Sequence, residues 1–111
     1  MIQASFRVVA PAEKRKEVLY VLMCLKGPTE VARGCQGCRI LQDADNENVL
    51  TYLGRWDTLE DVEEHLRSER FRRLLPYIEL SVEAPEVEFA TIQKVHGIEL
   101  LVAALGSEIS E

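Results

Sequence analysis

Val49-Leu50-Thr51-Tyr52-Leu53-Gly54-Arg55-Trp56-Asp57-Thr58-Leu59-Glu60-Asp61-Val62-Glu63-Glu64-His65-Leu66 reads as a strand running straight into a capped helix. Val49, Thr51, Leu53 and Arg55 fall on one face and Leu50, Tyr52, Gly54 and Trp56 on the other, so both faces of this strand need substantial cover. Asp57-Thr58 supplies N-cap oxygens. Leu59, Val62 and Leu66 then form an i, i+3, i+7 stripe with His65 on its flank.

Upstream, Asp43 to Asn48 has the composition of a hairpin loop, and Cys38 to Gln42 reads as the strand before it. Ile2 to Val9 alternates Ile2, Ala4, Phe6 and Val8 against Gln3, Ser5, Arg7 and Val9, which is a half-buried strand. Pro11 suits the first turn of a helix extending to about Lys26, where Gly27-Pro28 is expected to stop it. Val18 to Leu25 of that helix is apolar all round and calls for cover on more than one side, a hint of a second subunit. Thr29 to Gly37 reads as a short turn of helix and a glycine-bounded corner. Downstream, Ser68 can cap a short helix with Phe71, Leu74 and Leu75 inward and Arg67, Arg70, Arg72 and Arg73 wet, ended or kinked by Pro76. A polar connector leads past Pro85 to the alternating strand Glu86 to Ile92. Gly97 separates this from Ile98 to Leu105, which suits strand or helix equally, and residues 107–111 read as a frayed tail.

Strand, helix, strand, strand, helix, strand is the split βαβ order of an α+β ferredoxin-like domain, here over residues 1–106. Its antiparallel sheet carries both helices on one face. The strand faces read as too apolar for the other face to stay wet, so two sheets meeting as a homodimeric α+β barrel, with a dry chamber between them, are expected.

With 111 residues, 47% hydrophobic and 29% charged, the chain is expected to fold rather than stay disordered. Thirteen basic against nineteen acidic residues leave a net charge of −6, which argues against nucleic acid as a partner. The longest apolar run, Val18 to Leu25, is far shorter than the roughly 20 residues of a membrane span, and Met1 to Arg7 lacks the order of a signal peptide. A cytoplasmic location with no membrane partner is the expectation. Cys24, Cys35 and Cys38 are then expected to stay reduced. Cys35-Gln36-Gly37-Cys38 has C-x2-C spacing, but neither Cys24 nor His96 completes a zinc set, so no metal is expected.

Gly34-Cys35, Arg55-Trp56-Asp57-Thr58, the run Leu59 to Leu66 followed by Ser68 and Phe71, and Val87-Glu88-Phe89 together resemble the antibiotic biosynthesis monooxygenase family. Trp56, His65, Ser68 and Phe71 carry the resemblance as Trp-x8-His-x2-Ser-x2-Phe, and it covers nearly the whole chain. It implies a dimeric α+β barrel and oxygenation without flavin, haem or metal, in which a deprotonated phenol or enol itself passes an electron to O2. Relatives on this scaffold include quinol and anthrone monooxygenases and haem degraders. Haem breakdown is disfavoured, because His65 and Leu75 stand where those enzymes place a Trp and a haem-ligating His, and the first strand has no Asn.

Such chemistry needs a base, donors for an anion and an apolar box. His65 is the candidate base, or else a structural histidine bonded to nearby groups. Tyr52 and Trp56 share a strand face and either stack on a flat aromatic substrate or fill the core. Arg55 and Arg7 can hold a phenolate, or serve as surface and salt-bridge residues, and Tyr77 can form part of a pocket mouth. The acidic run Glu60 to Glu64 reads as a solvated helix face. The leading reading is a cofactor-independent monooxygenase acting with O2 on a small electron-rich aromatic of quinol or anthrone type. The alternative is a non-catalytic dimeric module that binds a small ligand or assists a pathway.

Overall fold

Alternation along the first strand decides which side of the sheet is dry. Ile2, Ala4, Phe6 and Val8 of β1 (Ile2–Val9) stand across from Trp56, Gly54, Tyr52 and Leu50 of β3 (Val49–Trp56), and the two rows form one buried surface. In the computed structural model, which describes residues 1–106, β2 (Cys35–Gln42) and β4 (Glu86–Thr91) complete an antiparallel sheet in the order β2-β3-β1-β4. This is the ferredoxin-like α+β architecture. Three helical segments and a long helix cover the dry face: α1 (Arg15–Glu30), α2 (Leu59–Leu66), α3 (Glu69–Arg72) and α4 (Leu75–Glu79). Val18, Leu22, Leu25 and Thr29 are the buried stripe of α1.

Several boundaries depart from the sequence expectation. A 3-10 turn, Ala12–Lys14, precedes α1, and α1 runs through Gly27-Pro28 to Glu30. Proline is tolerated there because Pro28 and Cys24 lie on the exposed face, so the carbonyl that loses its partner meets water. The next residue is anchored, since the Thr29 hydroxyl donates to the Leu25 carbonyl at 2.8 Å. Strand β2 begins at Cys35 rather than Cys38, with a bulge between Cys35 and Gly37 that leaves Gln36 unmatched. Thr58 and Ser68 cap α2 and α3 as expected, accepting from the Asp61 and Phe71 amides. Leu59, however, is exposed, and His65 takes its place with Val62 as the buried face of α2. Pro76 lies in the first turn of α4, which puts Tyr77 inside a helix rather than after one.

The open face of the sheet is also more polar than expected. Gln3, Ser5, Arg7, Thr51 and Arg55 occupy it beside Leu53, and Arg7 pairs with Glu86 at 2.7 Å and Asp43 at 3.8 Å. Bare apolar surface lies elsewhere: at Val87 and Phe89 on the edge strand, and on α5 (Ile98–Leu105), which resolves the strand-or-helix ambiguity as helix. All eight residues of α5 are exposed. The projecting helix helps raise the radius of gyration to 16.7 Å, against about 13 Å for a compact chain of this length. The expected tail, 107–111, lies outside the described residues.

Gly34 turns the chain from α1 into β2 with φ +80°, and its carbonyl accepts from the Asp57 amide at 2.8 Å. A Cβ at this position would strike the Asp61 side chain. Gly34→Ala is therefore expected to cost at least about 2 kcal/mol in urea unfolding, combining left-handed strain with the collision. The cost should shrink, without vanishing, in an Asp61→Ala background; equal costs in the two backgrounds would show that no collision occurs.

Candidate functional site

A single chain of polar groups crosses the space beneath the helices. Arg70 of α3 donates from Nε to His65 Nδ1 at 3.1 Å, and His65 Nε2 lies 3.3 Å from the Tyr52 hydroxyl. That hydroxyl is 2.5 Å from Thr29 Oγ1, whose own proton goes to the Leu25 carbonyl. Guanidinium has donors only, so Nδ1 must accept and Nε2 must carry the imidazole proton. The direction of every later bond follows: His65 donates to Tyr52, Tyr52 to Thr29, and Thr29 to the α1 backbone. From His65 inward each donor has an acceptor, which is the condition for burying such groups; Thr29 is 0% and His65 2% exposed.

Aromatic rings close around this chain. The Trp56 and His65 ring centroids are 4.5 Å apart, and Phe71 meets His65 edge-on at 5.5 Å. Gly54 makes room for the indole, since a Cβ there would lie 2.8 Å from Trp56 Nε1. Burial, with the Arg70 charge second, lowers the His65 pKa to about 4, so the ring is neutral at ordinary pH. Burial also holds the Tyr52 phenol well above its usual value, against the opposing effect of the Thr29 hydrogen bond. The same cause pushes the Cys38 thiol up to about 12 and raises that of Cys35, so neither is an activated thiolate.

His65, Tyr52 and Trp56 are thus brought together, between the sheet and the helices of one chain rather than on the face expected to meet a second sheet. Tyr77, half-buried on α4, lines the small space beside Tyr52, which also involves Phe6, Leu22 and Leu74 and has a free volume of about 10 Å³. Outside it, between α1 and the α3–α4 segment, lies a groove of about 540 Å³ to which Tyr77 and Arg70 also contribute. Arg7 and Arg55 are not part of this group. They project from the opposite face of the sheet, where the Arg55 Nε donates to Gln3 at 3.0 Å and Arg55 borders a separate hollow of about 550 Å³ at the β2 edge.

Sequence reasoning missed two members of the polar chain. Thr29 carried one usable signal, a hydroxyl four residues after Leu25 that can bond back to its carbonyl. Arg70 carried none, being one of four arginines in seven residues. Among the described residues no group of three or more His, Cys, Asp or Glu side chains is placed to hold a metal, and no helix is long and apolar enough to cross a membrane.

The buried neutral imidazole has a consequence for stability. Its folded pKa, about 4, lies below the unfolded value of 6.5, so the unfolded chain binds the extra proton between those limits. Stability should therefore fall as pH drops from 6.5 towards 4, losing up to ~3 kcal/mol from this group, and be unaffected by it above 6.5. Unfolding free energies of the native protein and His65→Gln, compared at pH 7.5 and 4.5, should differ by less at the lower pH; a constant difference would contradict the assignment.

Comparison with known proteins extends this picture. The family model for antibiotic biosynthesis monooxygenase matches residues 1–76. No curated protein matches at the sequence level. Among solved structures, a conserved protein of Methanosarcina mazei is 23% identical with a TM-score of 0.74, covering 80% of this chain and 89% of its own. A Mycobacterium tuberculosis protein is 18% identical with a TM-score of 0.78, covering 86% and 98%. A solved antibiotic biosynthesis monooxygenase is 18% identical with a TM-score of 0.76, covering 85% and 100%. At these identities the structures establish a shared fold, while the family match takes in the strands and helices that carry the His65 cluster: the chain belongs to the antibiotic biosynthesis monooxygenase family.

Proposed function

We propose that this chain is a cofactor-independent oxygenase of a small, electron-rich phenol or enol, with His65 as proton acceptor, Tyr52 and Trp56 as walls and Tyr77 at the mouth. The observation that supports this reading is the Arg70–His65 bond, which joins a guanidinium bordering an open groove to a neutral imidazole. A substrate hydroxyl that takes Arg70's place at Nδ1 would find a base there and, in the displaced guanidinium, a partner for the resulting anion. Both parts are needed. Moving a proton from a phenol of pKa near 10 to an imidazole of pKa about 4 is uphill by about 8 kcal/mol if nothing stabilises the products. An adjacent guanidinium acts on that deficit directly. The anion then gives one electron to O2, and the radical pair combines at carbon into a peroxide anion that takes the proton back from His65. Loss of water from the hydroperoxide leaves one oxygen atom in the product.

The space beside Tyr52 holds no more than a water-sized molecule, so substrate entry requires Tyr77 and α4 to move. The same observation favours a second reading, a ligand-binding module without turnover. We also infer a homodimer, supported by the bare apolar surfaces of α5, Val87 and Phe89. Arg7 and Arg55 lie on the opposite face of the sheet from Val87 and Phe89, so they would meet substrate only if a second sheet closed over that face.

Oxygen uptake with a panel of quinols and anthrones tests the oxygenase reading. Uptake is expected to match product one to one and to fall 10²- to 10⁴-fold in His65→Gln, while Tyr77→Ala should lower KM for the bulkier substrates. No uptake across the panel would leave the binding module. Full activity in a folded His65→Gln protein would remove His65 as base.

A further inference from the structure

We infer that the groove between α1 and the α3–α4 segment is a binding site for an organic anion with a flat apolar body, of which an aromatic carboxylate is the representative class. Its volume of about 540 Å³ falls within the roughly 300–1,000 Å³ of small-molecule sites. Leu25, Pro28 and Pro76 give it apolar walls, Tyr20 and Tyr77 give it aromatic ones, and Arg70 and Arg73 are its charged residues. No carboxylate lines it among the described residues, although the chain as a whole carries a net charge of −6. Two guanidiniums over an apolar trough, in an acidic protein, match a ligand of opposite charge and mixed polarity.

Arg70 supplies an independent argument. Its Nε is spent on His65, which fixes the plane of the guanidinium before any ligand arrives. Its terminal nitrogens, four N–H donors, form no hydrogen bond or ion pair among the described residues. A planar fork held in place and left unfilled is suited to two parallel bonds with a carboxylate. Arg73 lies one turn further along the same segment and is exposed. The Arg73 charge strengthens the attraction without entering the buried polar chain. The inference concerns binding alone and stands whether or not the bound molecule is oxidised.

The test uses 2-naphthoate as probe and 2-naphthamide as its uncharged counterpart, under nitrogen so that no turnover intervenes. Binding is read by calorimetry, and its location by the rate of alkylation at Cys24, which is exposed and lines the groove. Naphthoate is expected to bind at least tenfold more tightly than the amide, to slow alkylation of Cys24, and to weaken at least tenfold in Arg73→Gln, a surface change that spares the core. Arg70→Lys should also weaken it, because the ammonium keeps the charge but not the fork. Equal affinity for acid and amide, or unchanged binding in Arg73→Gln, would overturn the proposal. So would unprotected Cys24 in the presence of bound naphthoate. Cys24 protection in the ligand-free protein that disappears on dilution would assign the groove to a second copy of the chain, and would overturn it equally.

Discussion

The Arg70–His65–Tyr52–Thr29 chain of hydrogen bonds is the constraint on which the remaining structure depends. It links α3, α2, β3 and α1 in sequence and ends on a backbone carbonyl of α1. Each group in it would be costly to bury alone, so the four elements must meet in one arrangement or leave a polar atom unsatisfied in an apolar interior. Hydrophobic burial by Val18, Leu22, Leu50 and Val62 drives the helices onto the sheet. Hydrogen bonding decides which arrangement results. The details around it serve the same end: Gly54 clears space for Trp56, Trp56 flanks the imidazole, and Thr29 ties the last turn of α1 to the polar chain.

The same chain sets the terms for chemistry. Burial, with the Arg70 charge second, keeps His65 neutral, and the bond from Arg70 keeps its one lone pair occupied, a resting state of low basicity. On the proposed reading, proton transfer to His65 begins when a ligand breaks the outermost bond, the one to Arg70. That bond is at the rim of the groove, where a half-buried arginine can exchange one partner for another at less cost than Tyr52 or Thr29 could. Helix α4, with Pro76 in its first turn, is tied down beyond its end by the Ser81 hydroxyl and the Val82 amide to Val9, and on the proposed reading it must move to admit a substrate.

Much of this was legible in the residues. Period-two alternation at Ile2 to Val9 and Val49 to Trp56, and the Thr58 and Ser68 caps, are local signals, and the elements they mark form where they predict. Grouping Tyr52, Trp56 and His65 was also within reach, because strand parity and helix spacing put them on one side of their elements. Non-local outcomes were not legible. Whether Pro28 ends a helix depends on which side of α1 faces water, and whether Arg70 or its neighbours turn inward depends on where His65 lies. Leu59 outranks His65 in hydrophobicity, yet His65 is the buried one, since Tyr52 and Arg70 satisfy both of its nitrogens. The polarity of the open sheet face is visible in Gln3, Ser5 and Arg7, but Val9, Val49 and Leu53 share that parity and mask it in the sequence.

The most direct measurement is the nitrogen NMR spectrum of the His65 imidazole across a pH titration. A proton on Nε2, an unprotonated Nδ1 and no titration above pH 5 are the expected result, following from a donor-only partner at Nδ1 and burial at Nε2. A ring that titrates near its ordinary value of 6.5, or that carries its proton on Nδ1, would contradict the polar chain and the account of fold and chemistry built on it.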